Sequence, residues 1–98
     1  MYVGALEADL LLPPSTRSLK AKRAVVRPLL ADLRRRFAVT CAEVGEVDLH
    51  GRAVIGVAAV SGEMGHLREV LDTCERFLAD RPETTLLSVR SRIYRPDD

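Results

Sequence analysis

Basic side chains that could bind phosphate groups are concentrated in one stretch of the chain. Residues 15–37 hold eight of the fifteen lysines and arginines and a single acid, Asp32, which gives this stretch a net charge of +7. The rest of the chain carries seven basic and thirteen acidic residues, so the overall charge of +1 conceals a strongly dipolar molecule. The basic residues are Arg17, Lys20, Lys22, Arg23, Arg27, Arg34, Arg35 and Arg36. We expect a polyanion to approach this side.

Two interpretations of the basic stretch stay open. Several of its residues fall on the side of a helix opposite the apolar positions, where they could follow the phosphates of RNA. They could also form a solvated helix face, with Arg34, Arg35 and Arg36 interacting favourably with the C-terminal end of the helix dipole. Aromatic residues that could stack on bases are scarce, so any RNA binding should depend on backbone charge and shape.

Catalytic chemistry has little support in the sequence. Glu7 and Asp9 alternate on one strand and could form an acid/base pair, but Arg90 and Arg92 are expected on the neighbouring strand. Cross-strand ion pairs are the simpler interpretation. We therefore predict that the protein is not an enzyme and has no identifiable small-molecule substrate.

Metal, cofactor and thiol sites are not predicted either. His50 has carboxylates near it in sequence but lacks the fixed spacing of a metal site. Residues 61–65 contain glycines without the lysine of a phosphate-binding loop or the spacing of a dinucleotide-binding loop. Cys41 and Cys74 lie far apart in the sequence and are interpreted as buried thiols. We predict no cofactor.

The hydrophobic pattern predicts the order β-α-β-β-α-β. Strands are predicted over residues 1–12, 39–44, 52–60 and 83–94, and the third of these is apolar on both faces, which predicts a central strand. Apolar spacings of three and four predict a first helix that is capped by Ser15, Thr16 or Ser18, contains Pro28 with an expected kink, and ends near Phe37. The second helix opens at Ser61-Gly62 and ends before Pro82.

These elements predict a ferredoxin-like split βαβ fold of the α+β class, in a single domain over residues 1–98. Right-handed crossovers place both helices on one face of a four-stranded antiparallel sheet, with the third strand inside the sheet. In the last strand, Leu87, Val89 and Ile93 should face the helices and Leu86 should face away. The uncovered face should carry an interface formed by Glu7, Asp9, Arg90, Arg92 and Tyr94. Val3, Ala5, Leu86 and Val57 would make part of that face apolar.

Length and composition set the remaining expectations. A chain of 98 residues with 47% hydrophobic and 30% charged residues can form one modest core. No apolar run reaches the roughly 18 residues of a membrane span, and no signal peptide is recognisable. We predict a cytoplasmic protein without membrane contact.

Three groups of residues resemble the bacterial YlxP-like family, which is catalogued as a domain of unknown function. They are residues 18–23 (SLKAKR), residues 36–39 with 42–44 (RFAV and AEV), and residues 52–58 (RAVIGVA). The resemblance covers nearly the whole chain and implies a ferredoxin-like fold and a gene often found beside genes for translation initiation and ribosome maturation. The chain departs from the usual family pattern at Pro28 and at His50-Gly51.

Two functional hypotheses follow. The first is an accessory protein that binds RNA or a ribosomal subunit through the basic helix. The second is a homodimeric regulatory or interaction module in which the uncovered sheet face pairs two chains. The two are compatible, because a dimer would double the basic surface.

Overall fold

Six elements follow one another in the predicted order. The computed structural model describes residues 1–97, so Asp98, the last residue of the predicted domain, lies outside the described range. The elements are β1 (Tyr2–Leu11), α1 (Leu19–Phe37), β2 (Thr40–Gly45), β3 (Arg52–Ser61), α2 (Met64–Asp80) and β4 (Thr85–Tyr94). Within residues 1–97, no helix is both long enough and apolar enough to cross a membrane.

The four strands form one antiparallel sheet in the order β2-β3-β1-β4. The central strand β1 pairs with β3 on one side and with β4 on the other, so β3 lies inside the sheet as its two apolar faces predict. This topology confirms the predicted ferredoxin-like fold. Both crossover connections are helices, and both helices pack on the same face of the sheet.

The core lies between this sheet face and the two helices. Alternate residues of the inner strands point into it, and the buried members are Leu6, Ala8, Leu10, Ala53, Ile55 and Val57. The helices contribute Val26, Leu29 and Leu33 from α1, and Leu67, Leu71, Cys74 and Leu78 from α2. Each fully buried leucine stabilises the fold by about 1.5–3 kcal/mol through removal of apolar surface from water. A side chain at Gly4 would lie 2.9 Å from Leu71 Cδ1, so α2 packs directly on the backbone of β1.

A β-bulge reverses the prediction for the start of β4. Asp9 pairs with Ser88, but the next residue, Leu10, pairs with Leu86, which leaves Leu87 as an extra residue. Leu86 therefore packs against the core, and Leu87 is exposed. The prediction for these two leucines was wrong because strict alternation fails at a bulge. Val57 was also misplaced, since it is buried beneath the helices and not on the uncovered face.

The helix α1 begins at one of the three predicted caps. The hydroxyl of Ser18 accepts a hydrogen bond from the amide of Ala21 at 3.0 Å, which satisfies one of the free amides at the helix start. The helix runs continuously through Pro28. Pro28 and Ala24 are both exposed, so water can reach the carbonyl that the proline leaves without its usual partner.

Both cysteines are buried free thiols, as the sequence predicts. Burial raises the pKa of the Cys41 thiol and raises that of Cys74 to about 11. The thiol of Cys41 donates to the carbonyl of Leu30 at 3.5 Å, which attaches β2 to α1. Because the thiolate is the nucleophilic form, burial and the raised pKa both disfavour reaction of these thiols at neutral pH.

The one acid of the basic stretch holds the two helices together at one end. Asp32 Oδ1 lies 2.8 Å from Arg35 on the same helix, and Asp32 Oδ2 lies 2.9 Å from Arg81, which follows α2. The hydrogen bond from Arg81 and the charges of Arg35, Arg81 and Arg36 lower the pKa of Asp32, although burial opposes them.

Replacement of Asp32 by Asn should lower the free energy of unfolding at pH 7 and lose its effect in acid. The carboxylate has a lower pKa in the folded state than in the unfolded state, so its stabilisation is present above the unfolded value near 4 and disappears as the pH falls through the folded value. Urea unfolding from pH 7 to pH 3 measures this difference. The control is Asp72→Asn at an exposed position of α2, and a pH-independent deficit for Asp32→Asn would contradict the account.

Candidate nucleic-acid interface

The eight predicted phosphate-binding residues all lie on α1 or directly before it, but their surroundings divide them into three groups. Lys22 is buried in the protein. Arg34, Arg35 and Arg36, at the end of the helix, contact other parts of the chain. Arg17, Lys20, Arg23 and Arg27, at its start, are exposed.

Lys22 is a structural residue and not part of an exposed interface. The residue is 2% exposed, and its ammonium group is surrounded by oxygens of β2 and of the β2–β3 loop, residues 46–51. Nζ donates to the carbonyls of Glu46 at 2.7 Å, Val47 at 3.3 Å and Leu49 at 2.7 Å, and it lies 2.6 Å from Glu43 Oε2. The prediction that Lys22 binds phosphate is therefore corrected, because these oxygens already occupy its three donors.

The partner strand explains why Glu43 meets this lysine. Glu43 pairs with Ile55, whose side chain is in the core, so the carboxylate lies on the helix-covered face. The strand then bulges at Val44, and Glu46 takes a left-handed conformation with φ of 58°. The amide of Leu49 donates to the carbonyl of Glu46 at 3.1 Å and closes the turn. The turn aims its carbonyls at the ammonium of Lys22.

The sequence does contain a signal for this buried role of Lys22. Lys22 precedes the buried residues Val26, Leu29 and Leu33 by four, seven and eleven positions, which places it in the middle of the apolar side of the helix. A lysine at such a position needs oxygen partners, because an unpaired buried charge is very costly. The loop carbonyls could not be anticipated, since their direction depends on the turn conformation.

The three arginines at the end of α1 are engaged within the protein. Arg34 Nη2 donates to the carbonyl of Cys41 at 2.7 Å, on the outer edge strand β2. Arg35 pairs with Asp32, and the guanidinium of Arg36 lies 5.4 Å from the ring centre of Phe77 on α2. The contacts of Arg34 and Arg36 attach α1 to its neighbours, and the Arg35–Asp32 pair lies within the helix. Because all three arginines are engaged, this group is a poorer candidate for phosphate binding than the residues at the start of the helix.

Arg17, Lys20, Arg23 and Arg27 form the remaining group, here called the basic patch. Each is exposed, and none has an ion-pair partner among residues 1–97. Lys20, Arg23 and Arg27 recur at spacings of three and four, so they share one side of the helix over about 10 Å. The first helical turn contains no acid. The basic patch is thus an array of exposed cations, of which Arg17 and Lys20 lie at the positive end of the helix dipole.

The uncovered sheet face holds the five predicted interface residues. The carboxylate of Glu7 lies 2.8 Å from Arg90, as predicted. Asp9 pairs with Arg52 on β3 and not with Arg92, which corrects the second predicted ion pair. Arg92 lies opposite Ala5, and its guanidinium stacks 4.6 Å from the ring centre of Tyr94.

The other half of this face is formed by small apolar residues. The register places Val3 and Ala5 of β1 beside Val60 and Ala58 of β3, with Gly56 next along β3. A side chain at Gly56 would lie 2.9 Å from Val44 Cγ1, so the valine fills the space above this glycine. Val44 is 53% exposed and Val60 is 67% exposed. The residues form a shallow apolar surface without a helix over it.

Replacement of Lys22 by Met should destabilise the protein by about 3 kcal/mol, because it leaves three loop carbonyls and a partly buried carboxylate without their cation. Lys20→Met is the matched control, since Lys20 is the chain's only other lysine and is exposed on the same helix. It should change the free energy of unfolding by less than about 0.5 kcal/mol.

Chemical unfolding measures both variants, and hydrogen exchange locates the change. We expect faster exchange at the amide of Leu49 in Lys22→Met, because the turn that it closes loses its cation. Equal unfolding free energies for the two variants would show that Lys22 has no structural role.

Comparison with known proteins identifies the family to which this chain belongs and a solved structure that shares its fold. The family model described as a protein of unknown function, DUF503, matches residues 3–91. The uncharacterized protein YlxP of Bacillus subtilis (strain 168) is 35% identical over 66 residues, which are 67% of this chain and 72% of that protein.

Among solved structures, Rv0793 from Mycobacterium tuberculosis superposes with a TM-score of 0.52. The match covers 98% of this chain and 96% of that one, at 19% identity, and shows a shared fold. Neither the family description nor the name of the relative assigns an activity. The chain therefore belongs to the DUF503 family of proteins of unknown function, and its similarity to YlxP confirms the resemblance carried by its motifs.

Proposed function

We propose that this protein is a non-catalytic accessory protein that binds RNA, alone or within a ribosomal subunit, through the basic patch. The observation that carries the proposal is the set of four exposed cations, Arg17, Lys20, Arg23 and Arg27, without ion-pair partners in residues 1–97. Groups that could perform chemistry are engaged elsewhere: Glu7 and Asp9 are in ion pairs, and Cys41 and Cys74 are buried.

The position of the patch on the helix supports an anionic partner. Cations near the start of a helix interact unfavourably with the helix dipole, by about 0.3–1 kcal/mol each near the first turn. No acid in the first turn of α1 compensates for Lys20. A phosphate placed there relieves the repulsion between these cations and gains from the free amides at the helix start.

The proposed contact is with the nucleic-acid backbone. The exposed tyrosine of the sheet face, Tyr94, is partly covered by Arg92. The basic patch itself contains no aromatic residue. Binding through phosphates alone tolerates many sequences and weakens steeply with salt.

The double substitution Arg23→Gln/Arg27→Gln should weaken RNA binding and flatten its salt dependence. Each lost phosphate contact reduces the slope of log affinity against log salt by about 0.7 to 0.9. Fluorescence anisotropy with labelled ribosomal RNA fragments across a salt series measures both quantities. Arg68→Gln/Arg76→Gln, on the exposed side of α2, makes the same change in residue type and net charge.

Equal losses in the two double variants would show that net charge and not the basic patch drives binding. Absence of RNA binding by the wild-type protein at low salt, both to free RNA and to ribosomal subunits, would contradict the proposal.

A second candidate function is self-association through the uncovered sheet face. The observation in its favour is the apolar half of that face, in which the small side chains of Ala5 and Ala58 allow another sheet to approach closely. A two-fold dimer would place the same patch of both chains in contact, and burial of Val44 and Val60 would add apolar area.

Substitution Ala58→Glu should prevent such a dimer, because it places a charge in the centre of the apolar surface. Sedimentation velocity should then show a dimer for the wild type and a monomer for the variant at the same concentration. Ala79→Glu on the exposed side of α2 should leave the dimer intact. A wild-type protein that sediments as a monomer at tens of micromolar would remove this candidate.

A further inference from the structure

A groove between α1 and the β2–β3 loop is exposed and partly apolar, and it adjoins the basic patch through Arg23 and Arg27. It encloses about 370 Å³ and is lined by residues of the helix, together with one residue each from β2 and the loop. Its apolar lining is Leu19, Val26, Leu30 and Val47. Leu19 is 38% exposed and Val47 is 53% exposed, so apolar surface on both the helix side and the loop side of the groove is open to solvent.

The β2–β3 loop, which forms one side of the groove, is held in place by the buried side chain of Lys22. The ammonium of Lys22 binds the carbonyls of Glu46, Val47 and Leu49, which fixes the loop backbone while the Val47 side chain remains exposed. An exposed apolar side chain on a fixed backbone loses little conformational entropy when a partner covers it. The buried ammonium of Lys22 therefore preorganises the loop so that the apolar side chain of Val47 is presented at the surface.

The charges at the rim identify the chemistry of the occupant. Arg23 and Arg27 line the α1 side of the groove without ion-pair partners among residues 1–97. Glu46 and Asp48, on the loop, are exposed and would repel carboxylates. An occupant that fits carries apolar side chains along its middle and carboxylates only on the flank that faces α1.

We propose that this groove binds a short acidic, amphipathic segment of a partner protein. From Leu19 to Leu30 the helix wall is about 16 Å long, which corresponds to three helical turns or about five extended residues of the occupant. The segment inserts apolar anchors between Leu19, Leu30 and Val47 and places its carboxylates against Arg23 and Arg27. Because RNA would use the same two arginines, the segment and RNA exclude each other.

The test uses peptides selected on the full chain. A phage-displayed library of random 16-residue peptides is panned on the immobilised wild-type protein, and the recovered sequences are synthesised with a fluorescent label and titrated by anisotropy. We expect sequences that combine apolar residues with Asp or Glu. Val47→Asp should weaken their binding at least about tenfold, which is typical for an anchor residue. Separately, Arg23→Gln/Arg27→Gln should weaken it by about threefold or more at low salt and less at high salt, because both arginines lie at the exposed rim.

Val44→Asp is the matched control, because Val44 is also 53% exposed but lies on the uncovered sheet face. It should change peptide affinity by less than about twofold. Val47→Ser separates this proposal from the preceding one, since it removes the apolar anchor without adding a charge beside Arg23 and Arg27. It should weaken peptide binding and leave RNA affinity unchanged. The proposal is overturned if no peptide is enriched, if the enriched peptides lack acids, or if Val47→Asp and Val44→Asp affect peptide binding equally.

Discussion

The buried ammonium of Lys22 is the contact on which one end of the molecule depends. It joins α1 to Glu43 of β2 and to three carbonyls of the following loop, elements that are more than twenty positions away along the chain. Without a cation at this point, the loop carbonyls would point at one another and at a carboxylate in a partly buried space. Such an arrangement is stable only as a complete network, because each remaining group would be unsatisfied if one were removed.

The burial of Lys22 also separates the basic residues of α1 into those that stabilise the fold and those that face solvent. Lys22 faces inward and is neutralised by Glu43, whereas Lys20 and Arg23 beside it face solvent and have no ion-pair partner in the described chain. At the far end of the helix, Arg34 and Arg35 stabilise the contacts with β2 and Asp32. A net charge of +7 over one stretch therefore overstates the cations that are available to a partner. Arg34, Arg35 and Arg36 are exposed but already make contacts within the protein, so the available cations lie at the start of the helix, next to the groove above Lys22.

The fold could be predicted from the sequence because its apolar periods are regular. Leu6, Ala8 and Leu10 alternate, and Val26, Leu29 and Leu33 recur at helical spacing, so both the elements and their inner faces follow. Leu86 and Leu87 were assigned wrongly because a bulge depends on strand pairing that no local pattern records. The ion pair between Asp9 and Arg52 was likewise not predicted, because it depends on the pairing of β1 with β3. For the candidate interface, the exposed cations could be identified from the sequence, but the burial of Lys22 and the contacts of Arg34, Arg35 and Arg36 could not, since these depend on tertiary structure.

Chemical modification of lysines with and without RNA tests most directly whether Lys22 is buried and Lys20 contacts RNA, because these two are the only lysines in the chain. The native protein is treated briefly with an amine-reactive ester, and the modified fraction of each lysine is measured by mass spectrometry. The account predicts rapid modification of Lys20 that RNA suppresses, and slow modification of Lys22 that RNA does not change. Similar reactivity of the two lysines in the native protein, or equal protection of both by RNA, would contradict it.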